Sequence, residues 1–130
     1  MNINRFKFRT WDEKNKRFHY WGFIDGTFIG PDFARSKDPG EQCLGLPDRL
    51  NKLVYEGDIV QSVSDVIDVS TGKRTGEVSI NNHEVRFSPE KAAFFIGPTR
   101  IVSPEWLAEF HEVIGNIHEN PNLLKGWKKG

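Results

Sequence analysis

The side chains best suited to metal or acid–base chemistry are four histidines and one pair of carboxylates. The histidines are His19, His83, His111 and His118. Structural zinc sites use cysteines and histidines in close pairs, whereas the single cysteine, Cys43, lies far from each histidine in the sequence. His111-Glu112 resembles half of a zinc-protease helix motif, but Gly115 occupies the place of its second histidine. We therefore expect no metal site and no cofactor.

The paired carboxylates are Glu56 and Asp58, on either side of Gly57. Two carboxylates can share general acid–base work, but this spacing has a simpler structural cause. Aspartate stabilises turns by hydrogen bonds to the backbone, and glycine adopts the positive φ that tight turns need. The sequence offers no nucleophile, base or oxyanion donors to accompany the pair, and Gly72 and Gly76 lack the Lys-Ser/Thr ending of a phosphate-binding loop. We therefore predict a structural turn and a protein that is not an enzyme.

The strongest local imbalance of charge lies near the N-terminus, where basic and aromatic residues alternate. The residues that could bind nucleic acid or a partner there are Arg5, Lys7, Arg9, Lys14, Lys16, Arg17 and Trp21. A sheet face that binds nucleic acid needs cations for phosphates and rings for base stacking. The alternative is that Lys7 and Arg9 form the solvent face of a strand whose phenylalanines face the core. We favour this alternative, because a neutral protein also places its positive charges at the surface.

Composition indicates one soluble domain. The chain has 130 residues, 28% of them charged, a formal net charge of zero and a mean hydropathy of −0.55, so nothing in the overall charge indicates a nucleic-acid or membrane partner. A single cysteine excludes a disulfide within the chain. The first residues lack the apolar run of a signal peptide, and no apolar segment approaches membrane-spanning length. We expect a cytoplasmic protein with no membrane partner.

Hydrophobic periodicity and turn signals predict a mainly β fold with these parts along the chain. Residues 5–29 form a three-stranded meander with Asp25-Gly26 as a hairpin turn. Residues 30–41 form a loop, and residues 42–102 form further strands, including a hairpin at Asn81-Asn82-His83. A helix over 103–110 follows from Ser103 as N-cap and Pro104 at the first helical position, and 111–130 form the last strand, with Gly115 as a bulge or close approach, and a tail.

The predicted architecture is one β-dominated domain, a small, partly open antiparallel barrel or sandwich with one short helix near the C-terminus. Many short strands separated by closely spaced turn signals favour such a fold. The aromatic content, with ten phenylalanines and four tryptophans, suits a small β core, since each ring buries a large area.

Three segments in this order resemble the YopX family of phage and prophage proteins. They are Lys7–Asp12 (Lys-Phe-Arg-Thr-Trp-Asp), Tyr55–Val60 (Tyr-Glu-Gly-Asp-Ile-Val) and Val113–Pro121 (Val-Ile-Gly-Asn-Ile-His-Glu-Asn-Pro). Leu44-Gly45-Leu46 also matches the segment that precedes the family's central turn. The departures are Thr10, Cys43 and His118, where the family usually has Ala, Thr and Tyr, and residues 47–53, which replace a turn usually rich in Lys, Asp, Asn and Gly.

The resemblance implies a mainly β protein, encoded by a phage or prophage and assembled from identical subunits. It implies no established activity and therefore no catalytic residues, so we interpret the matched residues as structural, with Trp11 as a core anchor. These residues are Trp11, Tyr55, Glu56, Gly57, Asp58, Gly115, Asn116, Asn120 and Pro121. We expect a non-enzymatic accessory protein that acts through homo-oligomerisation and binds a host or phage protein. The alternative is a nucleic-acid-binding module that uses the basic N-terminal strands.

Overall fold

Two antiparallel sheets of five strands each make up most of the protein. The computed structural model describes residues 3–31, 40–98 and 100–125. The strands are β1 (Lys7–Asp12), β2 (Arg17–Ile24), β3 (Thr27–Ile29), β4 (Glu41–Pro47), β5 (Leu53–Tyr55), β6 (Asp58–Ile67), β7 (Arg74–Ser88), β8 (Ala93–Ile96), β9 (Arg100–Ile101) and β10 (His111–Asn116). The helices are α1 (Pro104–Phe110) and α2 (Asn122–Lys125), and a 3₁₀ turn covers Ile3–Phe6. The mainly β prediction is confirmed.

The strand orders are β3-β2-β1-β4-β5 in the first sheet and β10-β6-β7-β8-β9 in the second. Within the described residues the two sheets do not close into a barrel, so of the two predicted architectures the sandwich agrees with the structure. None of the helices in the described ranges has the length and apolar character needed to cross a membrane.

The N-terminal meander forms as predicted, with strands β1, β2 and β3 joined by short turns. Asp25 and Gly26 both have positive φ, 51° and 80°, the conformation of a two-residue hairpin whose twist matches its strands. At the preceding turn Asp12 accepts hydrogen bonds from the backbone N–H groups of Lys14 and Asn15. Aspartate therefore stabilises the turn between β1 and β2 through its side chain.

The hairpin predicted at Asn81-Asn82-His83 is wrong, because β7 passes through these residues without a break. Strand β7 pairs with β6 from Ile59 opposite Glu84 to Ile67 opposite Arg74, so the turn lies at residues 68–73. Asn82 donates to the Leu123 carbonyl at 3.2 Å and accepts from the side chain of Gln61 at 3.0 Å. Neighbouring segments thus satisfy a polar side chain that the sequence alone would place in a turn.

Helix α1 and strand β10 form where the sequence predicts them. The Ser103 hydroxyl accepts the Trp106 N–H as the N-cap, and Pro104 is the first helical residue. The pairing of β10 with β6 shifts by one residue between Val113 and Gly115, which is the predicted bulge. A Cβ at Gly115 would lie 2.5 Å from the Asn120 side chain, so the backbone also approaches closely there.

The hydrophobic core lies between the sheets and under α1. Its buried side chains come from β4, β5, β6, β7, β8 and α1 and are Leu44, Val54, Val60, Val85, Ile96 and Leu107. Because both sheets and the helix contribute, burial of this apolar surface fixes the position of each against the others.

Candidate functional site

Strand β1 turns Arg9 into the protein and not toward solvent. The period-two pattern is present, but Arg9 is only 4% exposed, whereas Phe6 just before the strand is 41% exposed. The interpretation of Arg9 as a solvent-facing residue is therefore wrong. Alternation defines two faces of a strand without saying how each is covered. Here both faces of β1 are buried from Arg9 to Asp12, and distant carboxylates neutralise the charge of Arg9.

The Arg9 guanidinium lies at the centre of a buried ion network. Its Nε donates to Glu41 at 2.9 Å, and its Nη2 lies 2.9 Å from an oxygen of Asp58 and 3.1 Å from the Glu56 carbonyl. The guanidinium also lies over the rings of Phe18, at 4.1 Å, and Tyr55, at 4.9 Å. Charge-assisted hydrogen bonds and ring contacts together compensate the cost of burying this cation.

Electrostatics keep Arg9 charged. Burial alone would lower the pKa of Arg9, but the negative charges of Asp58 and Glu41 outweigh it, and the pKa is raised. Burial raises the pKa of Asp58, while the charge of Arg9 and a hydrogen bond from the Tyr55 N–H oppose that rise. Each ion therefore depends on its partner for a favourable environment.

The turn from Tyr55 to Asp58 has the structural role predicted for it. Asp58 accepts the Tyr55 N–H at 2.8 Å with one oxygen and contacts Arg9 with the other. Gly57 has a φ of 86°, and a Cβ there would collide with the carboxylate of Glu41. The carboxylate of Asp58 is thus committed to the turn and to the ion pair.

The C-terminal motif reaches the same network through His118. Its Nε2 lies 2.9 Å from the second oxygen of Glu41, and its ring stacks on Trp11 at 5.2 Å. Trp11 is 3% exposed, which confirms it as a core residue. Asn116 accepts the His118 N–H at 3.0 Å and so fixes the turn that presents the imidazole.

Side-chain and backbone hydrogen bonds shape the end of this motif. The Asn120 side chain accepts the Asn116 N–H at 3.2 Å, and the Asn120 N–H donates to the Asn116 carbonyl at 2.9 Å. Pro121 follows at the surface, and its carbonyl accepts the Leu124 N–H at the start of α2. The Asn-Pro pair therefore closes one turn and opens the next, as structural residues would.

Sequence reasoning missed Glu41, which it placed in a loop ending at that residue. Glu41 begins β4, and its two oxygens bridge Arg9 and His118. A lone acid after Pro39 and Gly40 carries no signal of this role, because both partners lie more than 30 positions away in the sequence.

The ion network of Arg9, Glu41, Asp58 and His118, here called the clasp, links the two sheets. It joins β1 and β4 of the first sheet to β6 and to the segment after β10 of the second. A cleft of about 160 Å³ opens beside it, lined in part by Tyr20, Lys52 and Glu119. Within the described ranges no three His, Cys, Asp or Glu side chains come close enough to hold a metal ion. Paired charges of this kind suit a structural clasp.

The structure separates the basic residues of the N-terminal region. Lys14, Lys16 and Arg17 are exposed together at the turn between β1 and β2, while Arg5 is exposed at the opposite end of β1. Lys7 is half-buried. With Arg9 inside the protein, the predicted set of six cations does not form one continuous face.

Trp21 is also engaged within the protein. Its ring stacks on Phe8 at 4.5 Å, and its Nε1 donates to the Thr10 hydroxyl at 3.0 Å. Gly40 packs closely against the same indole. A base could therefore stack on this ring only by displacing some of these contacts.

Strands β6 and β7 extend beyond the rest of their sheet. Strand β10 pairs with β6 only as far as Ser62, and β8 pairs with β7 only from Val85 onward. Residues 63–80, here called the β6–β7 arm, therefore form a two-stranded ribbon, and all of them except Val66 are exposed. This arm is a second candidate for function.

The protein thus consists of two antiparallel sheets, joined by a buried arginine–carboxylate–histidine clasp, with a projecting two-stranded arm. The chain belongs to the YopX family, because the family model described as "YopX protein" matches residues 32–125. The second and third motifs lie inside that range, and Lys7–Asp12 lies before it. The family resemblance is thereby confirmed.

One similar solved structure is the crystal structure of protein EF1440 from Enterococcus faecalis. The two chains are 25% identical and superpose with a TM-score of 0.59, covering 91% of this chain and 96% of the other. No curated protein matches this chain significantly. The similarity therefore extends over nearly the whole of both chains.

Proposed function

We propose that this protein is a non-enzymatic phage or prophage accessory protein of the bacterial cytoplasm. It acts by pairing with a second copy of itself and binding a host or phage protein. The observation that carries the proposal is the exposed apolar face of the β6–β7 arm.

Strand register assigns the side chains of the arm to two different faces. Val63 lies opposite Ile80, and Asp65 lies opposite Val78, so these four residues share one face. On that face Val63 is 50% exposed, and Val78 and Ile80 are each 55% exposed. An isolated two-stranded ribbon is at best marginally stable in water, so covering these side chains would stabilise the arm.

A second copy is the occupant that fits this face. Two identical arms related by a twofold axis present the same apolar residues to each other, as an isologous interface requires. The acid on the face, Asp65, is paired with Arg74 at 3.2 Å. Its charge is therefore neutralised, and the Asp65 carboxylates of two copies would not repel each other strongly. Stable dimers bury about 800 Å² per partner, and the projecting ribbon offers an extended surface.

An aromatic patch on the first sheet supports the second part of the proposal, partner binding. Phe23 contacts Phe6 at 6.4 Å and Phe28 at 5.5 Å, all three edge to face. Their exposed fractions are 41%, 41% and 59% for Phe6, Phe23 and Phe28. Contiguous exposed aromatics are typical of surfaces that bind other proteins.

The test is solution mass by light scattering on a sizing column. The expected mass is twice the 14.9 kDa of one chain at concentrations of about 100 μM, a range that detects dissociation constants in the micromolar range. Ile80→Lys should shift the mass to one chain, because a buried lysine on each copy opposes association. Val69→Lys at the tip, where Val69 is 99% exposed, and Phe28→Ser should both keep the dimer mass. A monomeric wild-type chain, or a dimeric Ile80→Lys variant, would contradict the proposal.

The same experiment with short single- and double-stranded DNA tests nucleic-acid binding. The observation in its favour is the exposed cluster Lys14, Lys16 and Arg17, although Lys16 is paired with Glu13. Arg17 also lines a cleft together with Tyr20, which is 45% exposed. A DNA-dependent mass that is lost at high salt, and lost in Lys14→Glu/Lys16→Glu, would favour this second function. If the mass does not change when DNA is added, only the assembly proposal is supported.

A further inference from the structure

Strand β3 is an end strand of the first sheet, and its outer edge is open within the part of the chain that the structure describes. Among those residues it pairs only with β2, and Thr27, Phe28 and Ile29 are all exposed. Natural edge strands are usually protected against further pairing by lysines, prolines, bulges or a covering segment. This strand has no lysine, proline or bulge. Its backbone edge can therefore accept another strand.

The other three end strands differ from β3 in this respect. On β10 the His111 carbonyl accepts the Arg49 N–H at 2.8 Å. On β5 the Tyr55 N–H donates to the Asp58 carboxylate at 2.8 Å. Strand β9 is only two residues long and begins with Arg100. Bonded backbone groups, short length and charge all oppose further pairing, so β3 is the end strand best suited to receive another strand.

The register of the β2–β3 hairpin shows which backbone groups are available. Asp25-Gly26 is a two-residue loop with positive φ at both positions, and the pair that closes such a loop, here Ile24 and Thr27, exchanges backbone hydrogen bonds. Bonded and non-bonded pairs alternate along an antiparallel ladder, so Phe28 forms a non-bonded pair with Phe23. The N–H and C=O of Phe28 therefore point away from β2, where an extended chain can bond to both.

The Phe28 side chain continues a row of exposed rings that ends at this edge. It contacts Phe23 at 5.5 Å, and Phe23 contacts Phe6 at 6.4 Å. Each of the three rings is at least 41% exposed. In an added strand, the residue opposite Phe28 would lie at the usual cross-strand distance of about 5 Å and would be the next member of this row. An aromatic or β-branched side chain gains most from that contact.

The two ends of the edge add an apolar and a charged preference. Ile29 is 41% exposed at one end. At the other end Asp25 is exposed and has no ion-pair partner among the described residues. A strand that runs antiparallel to β3 passes Ile29 first, then Phe28, and reaches Asp25 last. The complementary segment therefore carries an apolar residue, then an aromatic or β-branched residue, and a lysine or arginine at its C-terminal end.

We propose that the edge of β3 binds an extended segment of this chemistry from another protein, as an additional strand of the first sheet. The proposal rests on the proposed binding of a host or phage protein and specifies how that protein is recognised. Backbone hydrogen bonds to Phe28 supply affinity, and the side-chain contacts supply specificity, as in other complexes formed by strand addition. The β6–β7 arm belongs to the second sheet, so dimerisation through the arm does not need this edge.

Selection from a phage-displayed library of random linear peptides against the full chain tests the proposal. The enriched peptides should carry the three residue types in the order given above, and synthetic versions should bind with dissociation constants below about 1 mM. Phe28→Ser should weaken binding about fivefold or more, because it removes the ring that the peptide contacts. The matched control Phe110→Ser, at a ring of α1 that is 50% exposed, should stay within about twofold.

The preference for a basic residue has its own conservative variant. Asp25→Asn keeps the hairpin, because Asn-Gly suits the same two-residue loop. It should remove the advantage of peptides with the C-terminal lysine or arginine over peptides with glutamine at that position, while the aromatic preference remains. An unchanged advantage in Asp25→Asn would overturn the assignment of Asp25 to the edge.

Two further readouts distinguish strand addition from other modes of binding. Methylation of single backbone nitrogens of the peptide should weaken binding at alternate positions, because only every second N–H faces β3. In hydrogen exchange the Phe28 amide should exchange rapidly in the free chain and slowly in the complex, whereas the Trp21 amide, inside the sheet, should stay protected in both. A Phe28 amide that is already protected in the free chain would show that the edge is occupied and would overturn the proposal.

Failure of strand addition can be distinguished from failure of the proposed function. Peptides that bind Phe28→Ser as tightly as the wild type, or that respond equally to methylation at consecutive positions, would overturn strand addition and leave partner binding in place. Absence of any enriched peptide would also overturn strand addition, while the Ile80→Lys mass decides the dimer separately. A changed solution mass of Phe28→Ser would show that a second copy occupies the edge, which would contradict the proposal as well.

Discussion

Gly57 occupies a position that two separate constraints reserve for glycine. Its φ of 86° lies in the left-handed region, and a Cβ would collide with the Glu41 carboxylate. Gly72 offers a matched comparison, because its φ of 71° is similar while no heavy atom lies within 4 Å of its Cβ position. The two glycines therefore separate the cost of conformation from the cost of the collision.

We predict that Gly57→Ala destabilises the protein by about 1–3 kcal/mol more than Gly72→Ala. The left-handed conformation costs each alanine about 1–2 kcal/mol, and at Gly57 the displaced carboxylate adds an overpacking cost of about 1–3 kcal/mol. Urea unfolding monitored by tryptophan fluorescence measures the difference. Equal midpoints for the two variants would show that Glu41 moves aside without cost.

His111 predicts a pH dependence of stability. The pKa of this imidazole is lowered below its ordinary 6.5, mainly by burial, while the nearby His83 and Arg100 add positive charge. The unfolded chain then binds the proton more readily, so stability is full above pH 6.5 and decreases as the pH falls below that value. His111→Gln removes this titration and should show a smaller loss of stability between pH 7.5 and 5.5.

The comparison uses the difference between the variant and the wild type, because other groups titrate as well. Burial raises the pKa of Glu56 and Glu84, so protonation of these acids favours the folded state and acts in the opposite direction at lower pH. Urea midpoints at several pH values give both curves. Parallel curves for wild type and His111→Gln would contradict the prediction.

At the scale of single elements, strand β1 shows what the sequence can predict. The alternation of Lys7, Phe8 and Arg9 predicts a strand, and the strand is there. The burial of Arg9 could not be predicted, because it depends on Glu41 and Asp58, which are 32 and 49 positions away. Local pattern fixes the period of a strand, whereas long-range partners decide whether one face or both are buried, as both are from Arg9 to Asp12.

Strand β7 also shows that local composition does not decide the structure, here because residues typical of a turn lie inside a strand. A run of Asn81, Asn82 and His83 has the composition of a turn, but this stretch lies within a strand of 15 residues. Turns and caps whose reasons are local, such as Asp25-Gly26 and Ser103-Pro104, were predictable from the sequence. The long β6–β7 ribbon was not predictable in this way.

At the scale of the whole molecule, segments far apart in the sequence converge on one ion network. Arg9 comes from the first motif, Asp58 from the second and His118 from the third, and Glu41 connects the first to the third. The sequence indicated that these segments are structural, but their meeting point depends on the order of strands in both sheets. The clasp therefore belongs to the tertiary fold, and its energetic contribution can be measured by removing its cation.

We predict that Arg9→Met destabilises the protein by about 3–5 kcal/mol, because it leaves the buried carboxylate of Asp58 without its cation and Glu41 with His118 alone. Arg17→Met, at an exposed position of the same sheet, should change stability by about 0.5 kcal/mol or less. Adding Asp58→Asn to Arg9→Met should cost less than the sum of the two single changes, since the second substitution removes one of the unpaired charges. Urea unfolding of the four proteins gives the coupling energy. Strictly additive losses would mean that Arg9 and Asp58 stabilise the two sheets independently, and the network would then be a set of separate contacts and not a clasp.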